Sequence, residues 1–240
     1  NENWSEIAVL YRNNSQSRAI EGALRRRGVP YIIYKGHSFY ERKEIKDLIA
    51  YYRLIVNPSD NEAFKRIINT PARGIGPVTV SRIAELAASR GISMWEAADT
   101  LEDNNAALKN AVKRIWEFTG LIRSFSLERN EKTLYDFGLD VATRSGIIPG
   151  YKVDGSPEAE SAVENIGELL GSMENFKEQR IILAYEGEEA EELDAEPTIE
   201  EWLQDISLMT DMDKLGEEAK NRVVLMTVNS AKGLEFDNVF

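Results

Sequence analysis

The chain of 240 residues has no cysteine, one histidine and no long apolar run, and each absence removes a class of function. Without cysteine there is no disulfide framework, zinc ribbon or dithiol redox site, and His37 alone cannot build a multi-histidine metal centre. No metal site is therefore expected within the chain. No stretch approaches the roughly 20 apolar residues that a bilayer span needs, and no signal-peptide pattern opens the sequence. The expected setting is cytoplasmic, with no membrane partner. Two further gaps concern phosphate chemistry: there is no GxxxxGK[ST] loop, and no apolar strand ends in the acidic pair that would hold Mg2+ and position water.

The formal charge of −12 speaks against a simple basic nucleic-acid-binding domain, until it is divided along the chain. Residues 1–95 carry 15 Lys and Arg against 9 Asp and Glu, whereas residues 96–240 carry 14 against 32. Much of the acid lies between Glu186 and Glu218, where 14 carboxylates face one cation, Lys214. Such a run reads as a solvated loop and exposed helix face, and repulsion makes Glu186 to Glu196 a candidate flexible segment. The basic N-terminal portion is the part suited to phosphate.

Periodicity divides the chain into an α/β beginning, a helical middle and a short α/β return. Ile7 to Tyr11 is an apolar run of the kind found in a parallel strand covered on both faces. Ser15 or Ser17 can cap a helix whose Ala19, Ile20, Ala23 and Leu24 share a face, with Gly28 ending it after three arginines. Tyr31 to Tyr34 gives a second strand. From Glu41, helical spacing runs to Val56, where Asn57 and Pro58 stop it. Successive amphipathic stretches follow from about Ser59 to Asn221, including Ala162 to Phe176 and Ile199 to Met209, the latter opened by a capping box at Thr198 and Glu201. Trp95, Trp116 and Trp202 fall on apolar helix faces and read as core. Val223 to Val228 returns to a β run, and Asn238 with Val239 begins another. A sheet opened at one end and resumed at the other, around some 160 helical residues, predicts an α/β domain with an all-α domain inserted in it. Open strand edges at both termini further predict a piece of a longer protein.

Four motifs occur in order: Leu10-Tyr11-Arg12-Asn13-Asn14-Ser15-Gln16-Ser17-Arg18, the Phe39 to Asp47 block, Asn69-Thr70-Pro71-Ala72-Arg73-Gly74-Ile75-Gly76, and Met226 to Phe236. Together they resemble the C-terminal half of the UvrD/PcrA/Rep-type superfamily 1 DNA helicases over essentially the whole chain. The resemblance implies that residues 1–57 and 222–240 belong to the second RecA-like parallel α/β domain, 2A, and that residues 58–221 form the mainly helical inserted domain 2B. It implies an ATP-dependent helicase translocating 3′ to 5′ on single-stranded DNA. ATP with Mg2+ would bind in the full-length parent, between 2A and a first RecA-like domain that this chain lacks.

Site residues follow from the same resemblance. Tyr11 would stack on adenine, Arg12 would act as the catalytic arginine finger on the γ-phosphate, and Glu235 would lie near the ribose. Thr227, Asn229, Ser230 and Lys232 would meet a single-strand phosphate, although Asn229 stands where these helicases usually have His. Arg73, Gly74, Ile75 and Gly76 with Thr79 fit a helix-hairpin-helix-like turn whose backbone N–H groups grip duplex DNA ahead of the fork. Asn13 and Gln16 read as fixing the turn and helix start. Arg42, Lys43 and Lys46 either face DNA or pair with Glu41, Glu44 and Asp47. Phe39 and Tyr40 are either core or a base-stacking platform. Repair or replication proteins are possible partners.

Because the P-loop, the acidic strand and the family's last arginine-bearing motif are absent, the chain alone is expected to hydrolyse no ATP. Two other classes stay open: a non-enzymatic DNA-binding module, and a protein-interaction module using the acidic surface.

Overall fold

A computed structural model describes residues 3–12, 16–34, 38–102, 108, 110–178, 196–207 and 221–240. It contains two compact units, one formed by Asn1–Lys46, Ser156–Leu169 and Gln204–Phe240, the other by Asp47–Gly155 and Leu170–Leu203. His37, Asn13, Ser15 and most of the acidic stretch from Glu186 to Glu218 lie outside the described residues.

The first unit is organised by a four-stranded parallel sheet. Its strands are β1 (Ile7–Tyr11), β2 (Tyr31–Ile33), β3 (Val223–Thr227) and β4 (Asn238–Val239), in the order β2-β3-β1-β4. Parallel neighbours cannot be joined by a tight hairpin, and here the strand between β1 and β2 comes from the far end of the chain. Ala8 pairs with Val224 and Tyr11 with Thr227, while Tyr31 pairs with Val223 on the opposite side of β3. Tyr11, Tyr31, Val223 and Leu225 make a buried cluster against which Ile20 and Leu24 pack.

Those two side chains belong to α1 (Ser17–Arg26). Gln16 takes its N-cap position without a side-chain cap bond. At the other end Gly28, at φ +64°, lets the Val29 N–H reach the Leu24 carbonyl at 2.9 Å, which closes the last turn. On the apolar face read from the sequence, Ile20, Ala23 and Leu24 are half-buried and Ala19 is exposed. The fully buried stripe is polar: Ser17, Glu21 and Arg25 at four-residue spacing. Glu21 accepts from Arg25 at 3.1 Å, from the Tyr31 hydroxyl at 3.1 Å and from the Phe39 N–H at 3.3 Å. A carboxylate removed from water is tolerable only when paired and hydrogen-bonded in this way.

The Phe39 to Asp47 block also turns inward. Phe39 and Tyr40 are buried and meet edge to face at 5.2 Å, so they are core. Arg42 neither faces out nor pairs with its acidic neighbours. It donates to Ser17 Oγ at 2.6 Å and Asn165 Oδ1 at 2.8 Å, and Asn165 donates onward to Glu44 at 2.6 Å. Lys43 and Lys46 remain exposed.

The second unit is helical among the described residues. It holds most of α2 (Lys43–Val56), then α3 (Asn61–Ile67), α4 (Pro77–Arg90), α5 (Met94–Asp99), α6 (Val112–Glu128), α7 (Leu134–Arg144), α8 (Ile147–Asp154), the end of α9 (Pro157–Glu174), and a helix beginning at residue 199. Starts are set by local chemistry. Asp60, Ser93 and Thr133 cap α3, α5 and α7, and Thr198 with Glu201 makes the reciprocal box read from the sequence. The core is aromatic. Phe64 meets Phe118 at 5.8 Å, and Tyr52 meets Trp202 at 5.6 Å while donating its hydroxyl to the Gly138 carbonyl at 3.0 Å.

Gly138 lets α7 approach α9 closely, because a Cβ there would collide with the Met173 sulfur. Trp202 is core as expected, but Trp116 is 38% exposed: its neighbours Ile115, Phe118, Thr119 and Ile122 take the buried face of α6 and leave it at the rim.

Candidate nucleotide and nucleic-acid interface

Tyr11 and Thr227 sit side by side at the C-terminal ends of β1 and β3. In a parallel sheet this is the edge where ligands bind. The pairing continues one step further, since the Tyr11 carbonyl accepts the Val228 N–H at 3.0 Å. Arg12 and the segment Val228 to Ser230 therefore leave the sheet from one place. The Arg12 N–H donates to the Gln16 side-chain oxygen at 3.0 Å, and Arg12 is exposed. Among the described residues its guanidinium makes no ion pair. It is thus a cation held by its backbone and open at its head, which fits a phosphoryl oxygen.

Tyr11 is placed differently. It is 5% exposed, its ring packed with Tyr31, Val223 and Leu225. Burial pushes its hydroxyl pKa up, Glu21 adds to the rise and Arg42 opposes it.

The turn after β3 is closed by short bonds. Thr227 Oγ1 and Ser230 Oγ are 2.9 Å apart, the Ser230 N–H reaches Thr227 Oγ1 at 3.2 Å, and the Ala231 N–H reaches the Thr227 carbonyl at 3.1 Å. The two hydroxyls are half-buried and locked together, whereas Asn229, Lys232 and Glu235 are exposed. Gly233, at φ +83°, turns the chain toward β4.

In the other unit, the Arg73 to Gly76 turn is built from inside. Asn69 Oδ1 accepts the N–H groups of Arg73 at 2.7 Å and Ile75 at 3.1 Å. The Arg73 guanidinium donates to the carbonyls of Ile67, Thr70, Pro71 and Ser145 at 2.9 to 3.2 Å and to the Tyr51 hydroxyl at 2.5 Å. It also lies over the Phe118 ring at 5.3 Å. Burial raises the Tyr51 pKa to about 12 against the opposing charge of Arg73, so this hydroxyl keeps its proton and donates it to the Thr70 carbonyl at 2.6 Å. Ile75 is 1% exposed and plugs the turn.

What faces outward is Gly74, at φ +69° with the Arg114 side chain beside it, with Gly76 and Thr79 half-buried at the start of α4. Gly76 caps α4 without a side chain and Pro77 opens it. Of the five residues expected to meet DNA here, Ile75 is buried, the Arg73 guanidinium is taken up by internal acceptors, Gly74 is exposed, and Gly76 and Thr79 are half-buried.

Sequence reasoning passed over Asn69, whose place four residues before Arg73 is a side-chain-to-backbone turn signal. It also missed the Arg42 and Asn165 pair, 123 residues apart in sequence, which no local pattern announces. Among the described residues no group of His, Cys, Asp or Glu converges as a metal site would need, and no helix is long and apolar enough to cross a membrane.

Comparison with known proteins agrees with this mixed α/β architecture. The family model described as UvrD-like helicase C-terminal domain matches residues 1–240. The chain is 35% identical over 237 residues to the ATP-dependent DNA helicase PcrA of Leuconostoc citreum, covering 99% of this chain and 30% of that protein. It is 34% identical to the PcrA of Bacillus subtilis (strain 168), covering 98% of this chain and 31% of that protein. With DNA helicase II of Haemophilus influenzae the identity is 39% over 239 residues, with the same coverage as for the Bacillus protein. The chain thus spans about a third of the length of the curated relatives it matches.

Proposed function

We propose a function from the family: this chain belongs to the UvrD-like helicase C-terminal domain family, and it serves as part of an ATP-dependent DNA helicase that moves 3′ to 5′ along single-stranded DNA. Residues 1–57 and 222–240 would be part of a RecA-like domain, 2A, and residues 58–221 an inserted domain, 2B. The compact units differ from these bounds by counting most of α2 with the helices, and the first part of α9 and the chain from Gln204 with the sheet.

One observation carries the reading: Arg12 and the Thr227 to Ser230 turn leave the same sheet edge, tied by the Tyr11 to Val228 hydrogen bond. In the proposed mechanism Arg12 donates its planar fork to the γ-phosphate and offsets the charge that develops as the phosphoryl group departs. Mg2+ bound with ATP would neutralise phosphate charge, its ligands lying outside this chain. Glu235 would approach the ribose. Adenine stacking on Tyr11 requires the ring to leave its strand pack or to work by its rim alone. Thr227, Asn229, Ser230 and Lys232 would hold a single-strand phosphate, so that one edge senses nucleotide and DNA. Gly74, Gly76 and Thr79 would grip duplex phosphates through backbone N–H groups, with Arg73 and Ile75 shaping the turn from within. Such contacts carry affinity and salt dependence and little sequence preference.

By itself the chain is proposed to hydrolyse no ATP. The reading is tested by Arg12→Ala in the intact protein. DNA-stimulated ATP turnover should fall about 10³-fold or more, and unchanged turnover would overturn it.

A further inference from the structure

We propose that Gln16 is a positioning residue for Arg12. The inference rests on the arginine-finger reading above and adds a residue to it.

The peptide unit joining Tyr11 to Arg12 is held at both poles. Its carbonyl accepts the Val228 N–H at 3.0 Å, and its N–H donates to the Gln16 side-chain oxygen at 3.0 Å. The first bond is an extension of the sheet. The second is not part of any regular element, and it comes from a residue that would ordinarily spend its side chain elsewhere. Gln16 occupies the N-cap position of α1 with helical φ and ψ and makes no capping bond to the first turn. Its side chain runs backward four residues instead. With both poles fixed, the plane of the peptide is held against rotation, and the place from which the exposed Arg12 side chain leaves the sheet edge is set.

The residue that follows Gln16 is anchored. Ser17 is fully buried, and its Oγ accepts from Arg42 at 2.6 Å. Arg42 is anchored in turn by Asn165, and Asn165 by Glu44. Burial lowers the Arg42 pKa, with Glu21, Tyr11 and Glu44 opposing the fall. The start of α1 is therefore pinned through Ser17 by the half-buried Arg42 fork, and the residue just before it bonds the Arg12 N–H.

The test uses two variants of nearly equal length. Gln16→Met removes the acceptor, and Gln16→Glu keeps one. In the intact protein Gln16→Met should lower kcat of DNA-stimulated ATP hydrolysis roughly ten- to hundredfold, the scale of a misplaced catalytic group, with KM for ATP and affinity for single-stranded DNA little changed. Hydrogen exchange resolved to the Arg12 amide should quicken in the same variant. Gln16→Glu should restore both. Wild-type kcat in Gln16→Met overturns the proposal whether or not the amide exchanges faster, as does a Gln16→Glu variant that matches Gln16→Met. Arg12→Ala measured alongside separates the two claims: if it keeps full turnover the finger reading fails, and if it loses turnover while Gln16→Met does not, only the positioning role fails.

Discussion

The Arg73 guanidinium donates to the Ser145 carbonyl at 2.9 Å, a bond between residues 72 positions apart. It fastens the turn before α4 to the end of α7, and with the other four acceptors it leaves Arg73 little freedom to meet anything outside. A residue that reads from sequence as a phosphate contact is thus a structural clamp.

Arg73→Lys should separate these roles. Lysine is a point donor and cannot reproduce a fork serving several carbonyls, so the variant should lose about 2–4 kcal/mol of stability by denaturant titration. The slope of DNA affinity against salt should stay where it was. A side chain in contact with phosphate would instead reduce that slope by about one.

Gly138 offers a steric prediction in the helical unit. Gly138→Ala places a methyl group against the Met173 sulfur and should cost about 1–3 kcal/mol by overpacking. Trimming the partner in the double variant with Met173→Ala should leave a loss smaller than the two single losses combined. A simple sum would mean that the two side chains do not meet.

Glu128 and Asp140 share Lys132 and Arg144 at 2.8 to 2.9 Å. Hydrogen bonds from Lys132 and then Arg144 lower the Glu128 pKa. For Asp140 partial burial pushes upward, but the bonds from Lys132 and Arg144 outweigh it and the net shift is down. Folded values below the unfolded ones mean that the unfolded chain binds more protons in the window between them. The contribution is therefore present above the ordinary carboxylate range and is lost as pH falls through the folded values. Thermal melts from pH 7 downward should show a shallower fall for the Glu128→Gln, Asp140→Asn double variant than for the parent, and the difference should shrink in high salt because the groups are near the surface. An identical pH profile in both would contradict this.

The elements were legible where one physical signal dominates. Ile7 to Tyr11 and Val223 to Thr227 are apolar on both faces and became strands, and Thr198 with Glu201 formed its box as written. Of the motif residues beside the strand ends, Arg12 is exposed, whereas Ser230 is half-buried and bonded to Thr227. Errors fell where burial and polarity disagree. Arg42 and Arg73 are charged residues with structural partners that sequence distance hides, Asn165 and Ser17 for the first and the Ser145 carbonyl for the second. Tyr11 is an aromatic at a strand end, and its burial with Tyr31 and Leu225 is not announced by its place in the motif. Trp116 looks like core and is not, since an apolar residue beside a buried stripe can still fall at its rim.

The account centres on one strand edge that carries separate nucleotide and DNA contacts, and paired measurements of kcat for DNA-stimulated ATP hydrolysis and Kd for single-stranded DNA in Arg12→Ala and Lys232→Ala test it most directly. The predicted result is a crossed one: Arg12→Ala loses about 10³-fold or more in kcat with Kd little changed, and Lys232→Ala weakens Kd with a smaller salt slope while kcat at saturating DNA is largely kept. Wild-type kcat in Arg12→Ala, or wild-type Kd in Lys232→Ala, would contradict it.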